Sequence, residues 1–278
     1  GDEREFLGNV AVQSEADQRG YVLVAPLGLG EEETGRQPAS WSFSGSTTGL
    51  DGDGLNAAVD GDTLAVCDDD QTNNYTYPSC EGIAENGCSW TQCSVDDVAF
   101  SAALVQKVSA NVCIDSNRVY AVGGSNGGMF VWDLGRDERS AEVFRAVAPI
   151  LGLPHRGYLD PPVSESGMPV ISITGSRDRT VPPGEWGQDT FTTTSDGDVY
   201  YYSSASAITK VWAEAHGCDA TVPAEPVDIG SSSMECRGWS YCQSDSQWPP
   251  VMDCRSDIGH VYNLSSSWPL ILDFFEQL

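Results

Sequence analysis

Ser125 stands in the run Gly123-Gly124-Ser125-Asn126-Gly127-Gly128, whose first five residues fit G-x-S-x-G. An apolar stretch that reads as a strand precedes it, and a stretch that reads as a helix follows. In that context the spacing makes a nucleophile elbow, and the chemistry is attack by a hydroxyl. A serine on so sharp a bend takes strained backbone angles and is lifted above the sheet edge. Its neighbours must then lack bulk, a need that Gly123 and Gly127 meet. The following helix aims its first amides at the same point, and Asn126 N–H is the expected donor to an oxyanion formed there. A glycine-rich turn without chemistry is the competing reading.

A serine hydroxyl needs a base, and the base needs an orienting carboxylate. On an elbow of this kind the chain order is Ser, Asp, His, with the later groups on loops that leave strand ends. Asp178 closes Gly175-Ser176-Arg177-Asp178, the loop after the strand-like run Val170-Ile171-Ser172-Ile173-Thr174. Its plain alternative is a turn residue paired with Arg177 or Arg179. Asp133, Asp160 and Asp196 are less well placed: on a helix, beside Pro161-Pro162, and in a Gly-Asp hairpin. Of the three histidines, His260 follows the last strand-like segment in Ser256-Asp257-Ile258-Gly259-His260. His155 could line a pocket after Gly152-Leu153-Pro154, and His216 ends a helix, where a positively tending ring suits the macrodipole. Position and order select Ser125, Asp178 and His260, with Asn126 as the oxyanion amide. This chemistry calls for no cofactor and no metal.

The elements that must position these groups alternate along the chain. Residues 21–26, 118–122, 144–150 and 169–174 read as strands; residues 96–108, 126–134, 205–216 and 268–275 read as helices. Such alternation predicts one α/β domain over 1–278 with a mainly parallel sheet. Residues 28–94 read as a long irregular loop region pinned by Cys67, Cys80, Cys88 and Cys93, and 218–255 as a cysteine-rich insertion.

Composition narrows the partners. The 278 residues carry 14 Lys+Arg against 41 Asp+Glu, a net charge of −27, which repels phosphate backbones and anionic lipid headgroups. No stretch of about 18 apolar residues is present, so no membrane insertion is expected. The nine cysteines, which also include Cys113, Cys218, Cys236, Cys242 and Cys254, lack the paired spacing of a zinc site and cluster in turn-rich segments. That is disulfide usage and points to an oxidising, secreted location. Two glycosylation sequons, at Asn74 and Asn263, agree with a secreted glycoprotein. The first residue is Gly1, not Met, and no apolar leader follows, so a signal peptide is expected to have been removed. The odd cysteine is either free or bonded outside the chain. The acidic clusters Asp51-Gly52-Asp53, Asp60-Gly61-Asp62 and Asp68-Asp69-Asp70 are either a solvated loop or a calcium site that is not an EF-hand. The frame starting at Asp51 has Asn56 where an EF-hand needs glycine and Asp62 where it needs glutamate.

Several segments together resemble the secreted polyhydroxybutyrate depolymerase and feruloyl esterase-like family of α/β-hydrolases. They are Val95-Asp96-Asp97-Val98-Ala99-Phe100, Cys113-Ile114-Asp115-Ser116-Asn117-Arg118-Val119-Tyr120 and Gly124-Ser125-Asn126-Gly127-Gly128, then Phe144-Arg145-Ala146-Val147-Ala148-Pro149 and Asp178-Arg179-Thr180-Val181-Pro182. Trp212-Ala213, Gly217-Cys218 and Gly259-His260 extend the likeness to about residues 10–275. The resemblance implies an α/β-hydrolase fold, an ester substrate that can be polymeric, Ser125, Asp178 and His260 as nucleophile, orienter and base, and pairing of Cys113 with a cysteine just before the Asp96-Asp97 helix, of which Cys93 is nearest. It also implies three strands ahead of Tyr21 and a His-Gly loop that supplies a second oxyanion amide. Only twenty residues precede Tyr21 and they contain no His-Gly, so N-terminal strands are expected to be missing from this chain. Either an N-terminal fragment or partner chain, disulfide-linked or non-covalent, supplies them, or the protein is a non-catalytic extracellular relative. After His260, Val261-Tyr262-Asn263 replaces the aromatic-proline ending of the family.

Overall fold

The computed structural model describes residues 3–28, 41, 43, 57–59 and 62–64 (these two by backbone), 96–156, 158–164, 167–193, 201–230, 232–240, 242 and 247–278. Cys67, Cys80, Cys88, Cys93, Asn74, Asp196 and the side chains of the three acidic clusters lie outside the described residues.

Helices α1 (Glu3–Leu7) and α2 (Val10–Arg19) open the chain. The Asn9 side chain accepts the amides of Ala11 and Val12 at the start of α2, and Gly20 ends it at φ +73°, a conformation costly for a residue with a Cβ. Strands β1 (Ala57–Val59) and β2 (Asp62–Leu64) form a hairpin within the expected loop region. Asp96 caps α3 (Asp97–Ser109) by accepting Ala99 N–H. The central run is β3 (Tyr120–Gly124), α4 (Asn126–Arg136), α5 (Glu138–Ala141), β4 (Ala146–Ile150) and β5 (Val170–Gly175). A short hairpin of β6 (Phe191–Thr193) and β7 (Tyr201–Ser203), helix α6 (Ala205–Ala215), strands β8 (Glu225–Val227), β9 (Glu235–Gly238) and β10 (Val251–Ser256), and helix α7 (Leu264–Glu276) complete the described elements.

Six strands form one sheet in the order β3-β4-β5-β10-β9-β8. The first four run parallel, while β9 and β8 are antiparallel to their neighbours. Parallel strands are covered on both faces and read as continuous apolar runs, as β4 and β5 do here with every residue buried. Side chains alternate across the pleat. Val147, Val170 and Val251 pack with Phe130, Trp132, Ile208 and Trp212 of α4 and α6. Ala146, Ala148, Ile171, Ile173, Met252 and Cys254 pack instead with Val12 of α2 and with Trp268, Ile271 and Phe274 of α7. The result is a mixed α/β fold with a mostly parallel sheet between helical layers. The stretch 218–255 is part of that sheet: it contributes β8, β9 and nearly all of β10.

Disulfides join Cys218 to Cys242 and Cys236 to Cys254, the latter pair directly opposite each other across β9 and β10. Both fit an oxidising compartment. Cys113 is free and exposed, which corrects its expected pairing with Cys93. No helix among the described residues is long and apolar enough to cross a membrane.

The strand expected at 21–26 does not form. Those residues are extended, with Tyr21 and Leu23 packed on the α2/α7 side of the core and Val22 and Val24 about half exposed, at 52% and 48%. A strand exists only through a ladder, and this segment has none. Among the described residues β3 also has one edge without a strand partner. Arg145 N–H donates to Val119 O and Ser125 N–H to Ile150 O, so the odd-numbered residues of this segment face β4. The backbone groups of Tyr120, Val122 and Gly124 therefore face away from β4, and none has a partner among the described residues. All five residues of β3 are correspondingly half-buried. The rings of Tyr21 and Tyr120 lie 6.2 Å apart beside this edge.

His155 is fully buried, its ring stacked between Phe43 at 5.5 Å and Tyr202 at 5.0 Å between centroids. Burial drives its pKa down to about 4. The unfolded chain, with an ordinary imidazole near pH 6.5, takes up a proton that the native state refuses. Stability from this residue is therefore intact above about pH 6.5 and is lost as the pH falls towards 4, by about 3 kcal/mol in all. His216 is shifted the same way by burial. A His155→Phe variant, which keeps the stack, is expected to lose less stability between pH 7 and pH 4.5 than the parent. Urea midpoints at the two pH values measure this, and an equal loss in both proteins contradicts it.

Candidate active site

Three parallel strands bring the site together. β3, β5 and β10 end on the same edge of the sheet, and β5 and β10 are paired through Gly175 and Ser256, so their loops leave side by side. Arg177 N–H donates to Ile258 O at 3.0 Å, and the Arg177 guanidinium pairs with Asp257 at 2.8 Å, joining the two loops. Asp178 N–H closes a turn onto Gly175 O at 3.0 Å.

Ser125 lies between β3 and α4 at φ +53°, ψ −119°. For a residue with a Cβ this is a sparsely populated conformation that costs about 1–3 kcal/mol. The surroundings hold it there: Ser125 N–H donates to Ile150 O at 2.8 Å, and its carbonyl accepts Met129 N–H at 2.9 Å. A Cβ on Gly123 would fall 2.1 Å from Gly127 O, so the bend closes only with glycine at 123. At Gly127 a Cβ would meet only Trp41 at an ordinary 3.6 Å, which corrects the expectation that this residue's bareness is needed for space.

Ser125 Oγ is 2.9 Å from His260 Nε2, and His260 Nδ1 is 2.7 Å from Asp178 Oδ2. Asp178 is 4% exposed, and its other oxygen accepts the amides of Thr180 and Val181, both at 2.9 Å. This fixes the carboxylate's rotation, so one oxygen always faces the ring. The network is satisfied with the proton on Nδ1, leaving Nε2 to accept the serine proton. Asn126 occupies the first position of α4, where an amide has no intrahelical acceptor, and no acceptor for it occurs among the described residues. Its side chain holds Trp41, accepting Trp41 N–H at 2.7 Å and donating to Trp41 O at 3.0 Å. Trp41 in turn stacks on Phe130 at 5.3 Å.

The four residues expected at the site thus converge, and the rivals among the described residues do not join them. His155 is in the core, and His216 caps α6 with its pKa lowered by burial, so desolvation outweighs the helix dipole. Asp133 pairs with Arg136 at 2.5 Å, and the Asp160 carbonyl accepts Trp212 Nε1–H. Sequence reasoning missed Trp41, the Thr180 and Val181 amides, and Tyr262. The last had a visible signal in the departure at 261–263. Its half-buried ring lies against Gly124, where a Cβ would be 2.5 Å from ring carbon Cε1, and burial raises its phenol pKa. Among the described residues no cluster of three or more His, Cys, Asp or Glu is arranged to hold a metal ion.

Such an arrangement can perform acyl transfer: a serine, a base behind it, a fixed carboxylate behind that, and in front a helix amide with no acceptor among the described residues. No family model matches the chain, and no curated protein matches it.

Proposed function

We propose that the chain is a secreted serine carboxylic-ester hydrolase of the α/β-hydrolase fold, similar to polyhydroxybutyrate depolymerases and feruloyl esterases. The observation that carries this reading is the continuous relay from Ser125 through His260 to Asp178, with Ser125 on a strained bend. His260 Nε2 takes the hydroxyl proton as Oγ bonds to the ester carbon, and the carbonyl electrons move onto oxygen. Asn126 N–H donates to that oxyanion. Collapse breaks the bond to the alcohol oxygen, which leaves with the proton from Nε2. Water then repeats the sequence on the acyl-serine, releasing the acid and restoring Ser125. Asp178 holds the imidazole throughout and stabilises its transient positive charge.

Polyester and feruloyl-polysaccharide esters are the substrate classes the resemblance implies. A second reading, a non-catalytic extracellular structural or binding protein, draws support from the edge of β3 beside the elbow, which has no strand partner among the described residues. A fluorophosphonate probe separates the two. The hydrolase reading expects a single adduct on intact protein, mapped by peptide mass to the segment containing Ser125. Absence of that adduct on folded protein overturns it.

A further inference from the structure

We propose that the Tyr262 hydroxyl is the second hydrogen-bond donor to the oxyanion at Ser125, completing with Asn126 N–H a cradle for which the sequence offers one amide. The inference rests on the reading that Ser125 attacks an ester carbonyl. Tyr262 follows the base His260 by two residues on the same loop. Its ring lies on Gly124, the residue before the nucleophile: a Cβ there would be 2.5 Å from Cε1 and 2.7 Å from the phenol oxygen. The phenol hydroxyl also interacts with that of Ser125. The ring is held in place by Phe6 at 5.7 Å, which itself packs edge-on against Trp268 at 6.2 Å. The glycine at 124 leaves the space this ring fills.

Burial and the nearby Glu5 carboxylate both raise the phenol's pKa, so the group keeps its proton and acts as a donor. In the resting site the Ser125 hydroxyl is paired with His260 Nε2, so the Tyr262 proton is not committed to the base. When Oγ bonds to carbon, the negative charge appears on the former carbonyl oxygen, two bonds from Oγ. Rotation of the phenol O–H about its C–O bond follows that charge without moving the ring. A donor of this kind acts only once the charge develops, so its loss falls on kcat and spares KM.

The test compares the parent and Tyr262→Phe on a phenyl ester and on its thionoester, whose sulfur is a weak hydrogen-bond acceptor. The substitution keeps the ring against Gly124 and Phe6 and removes only the hydroxyl. It is expected to lower kcat on the oxygen ester by about 10²-fold with KM unchanged, and to lower the thionoester rate much less, so the oxo-to-thiono rate ratio falls. Both rates come from one preparation, so the ratio does not depend on how much of the variant is folded. A variant with parental kcat, or with equal losses on both esters, overturns the role of Tyr262 and leaves the hydrolase reading standing. A parent protein that turns over neither ester and takes no fluorophosphonate overturns both.

Discussion

Ser125→Ala lowers kcat on an activated ester by about 10⁶-fold and abolishes covalent labelling, the size expected when the nucleophile of a serine relay is removed. The variant keeps the backbone bonds that hold the elbow, Ser125 N–H to Ile150 O and Met129 N–H to the carbonyl of residue 125. Alanine carries the same Cβ, so the strain at φ +53° is essentially unchanged. The loss is therefore chemical. A small rate above buffer is expected to survive, because the helix amide at Asn126 still favours a developing oxyanion attacked directly by water. Steady-state turnover, with intact mass before and after exposure to the probe, measures the effect. Turnover within tenfold of the parent places the reacting group elsewhere.

Asp178→Asn is expected to cost about 10⁴-fold in kcat with little loss of folding stability. The two carboxylate oxygens have different tasks. Oδ1 accepts the amides of Thr180 and Val181, and the asparagine carbonyl takes over that position without rearrangement. Its NH₂ group then faces His260 Nδ1, which must become the acceptor. The ring proton moves to Nε2, 2.9 Å from Ser125 Oγ, where a base is needed and a donor now stands. The imidazolium also loses its neighbouring negative charge. Kinetics on a short-chain ester, beside a thermal midpoint close to the parent's, measure this outcome. A loss below tenfold means that the Asp178–His260 contact does not set the tautomer.

Much of the layered architecture is legible along the chain because it is local. The runs over 144–150 and 169–174 are apolar and bounded by turn residues, and β4 and β5 lie within a residue or two of them. Asp96 and Ser204 mark the starts of α3 and α6 by accepting amides within the first turn. Residues 21–26 have the same strand composition as β4 and β5, yet they form no ladder, because pairing needs a neighbour that composition does not name. The 218–255 stretch reads as polar loop and is instead half of a sheet edge. Its strands are short, and β8 and β9 gain their order from cross-strand pairing and from Cys236–Cys254.

By itself the sequence determined the identity and order of the candidate groups: a hydroxyl between bare residues at Ser125, a carboxylate in a strand-end turn at Asp178, and an imidazole before the last helix at His260. Those are short-range properties, readable from a few residues each. Position and chain order already single out His260 among the three histidines; only the tertiary structure decided how the ring is held, at 2.9 Å from Ser125 Oγ and 2.7 Å from Asp178. The parallel pairing of β5 with β10 delivers His260 and Asp178 to one edge, while packing buries His155 between two rings. The same holds for Tyr262 against Gly124 and for the place of β3 at the end of the described sheet. Both depend on segments distant in sequence, and no local pattern encodes which surfaces will meet.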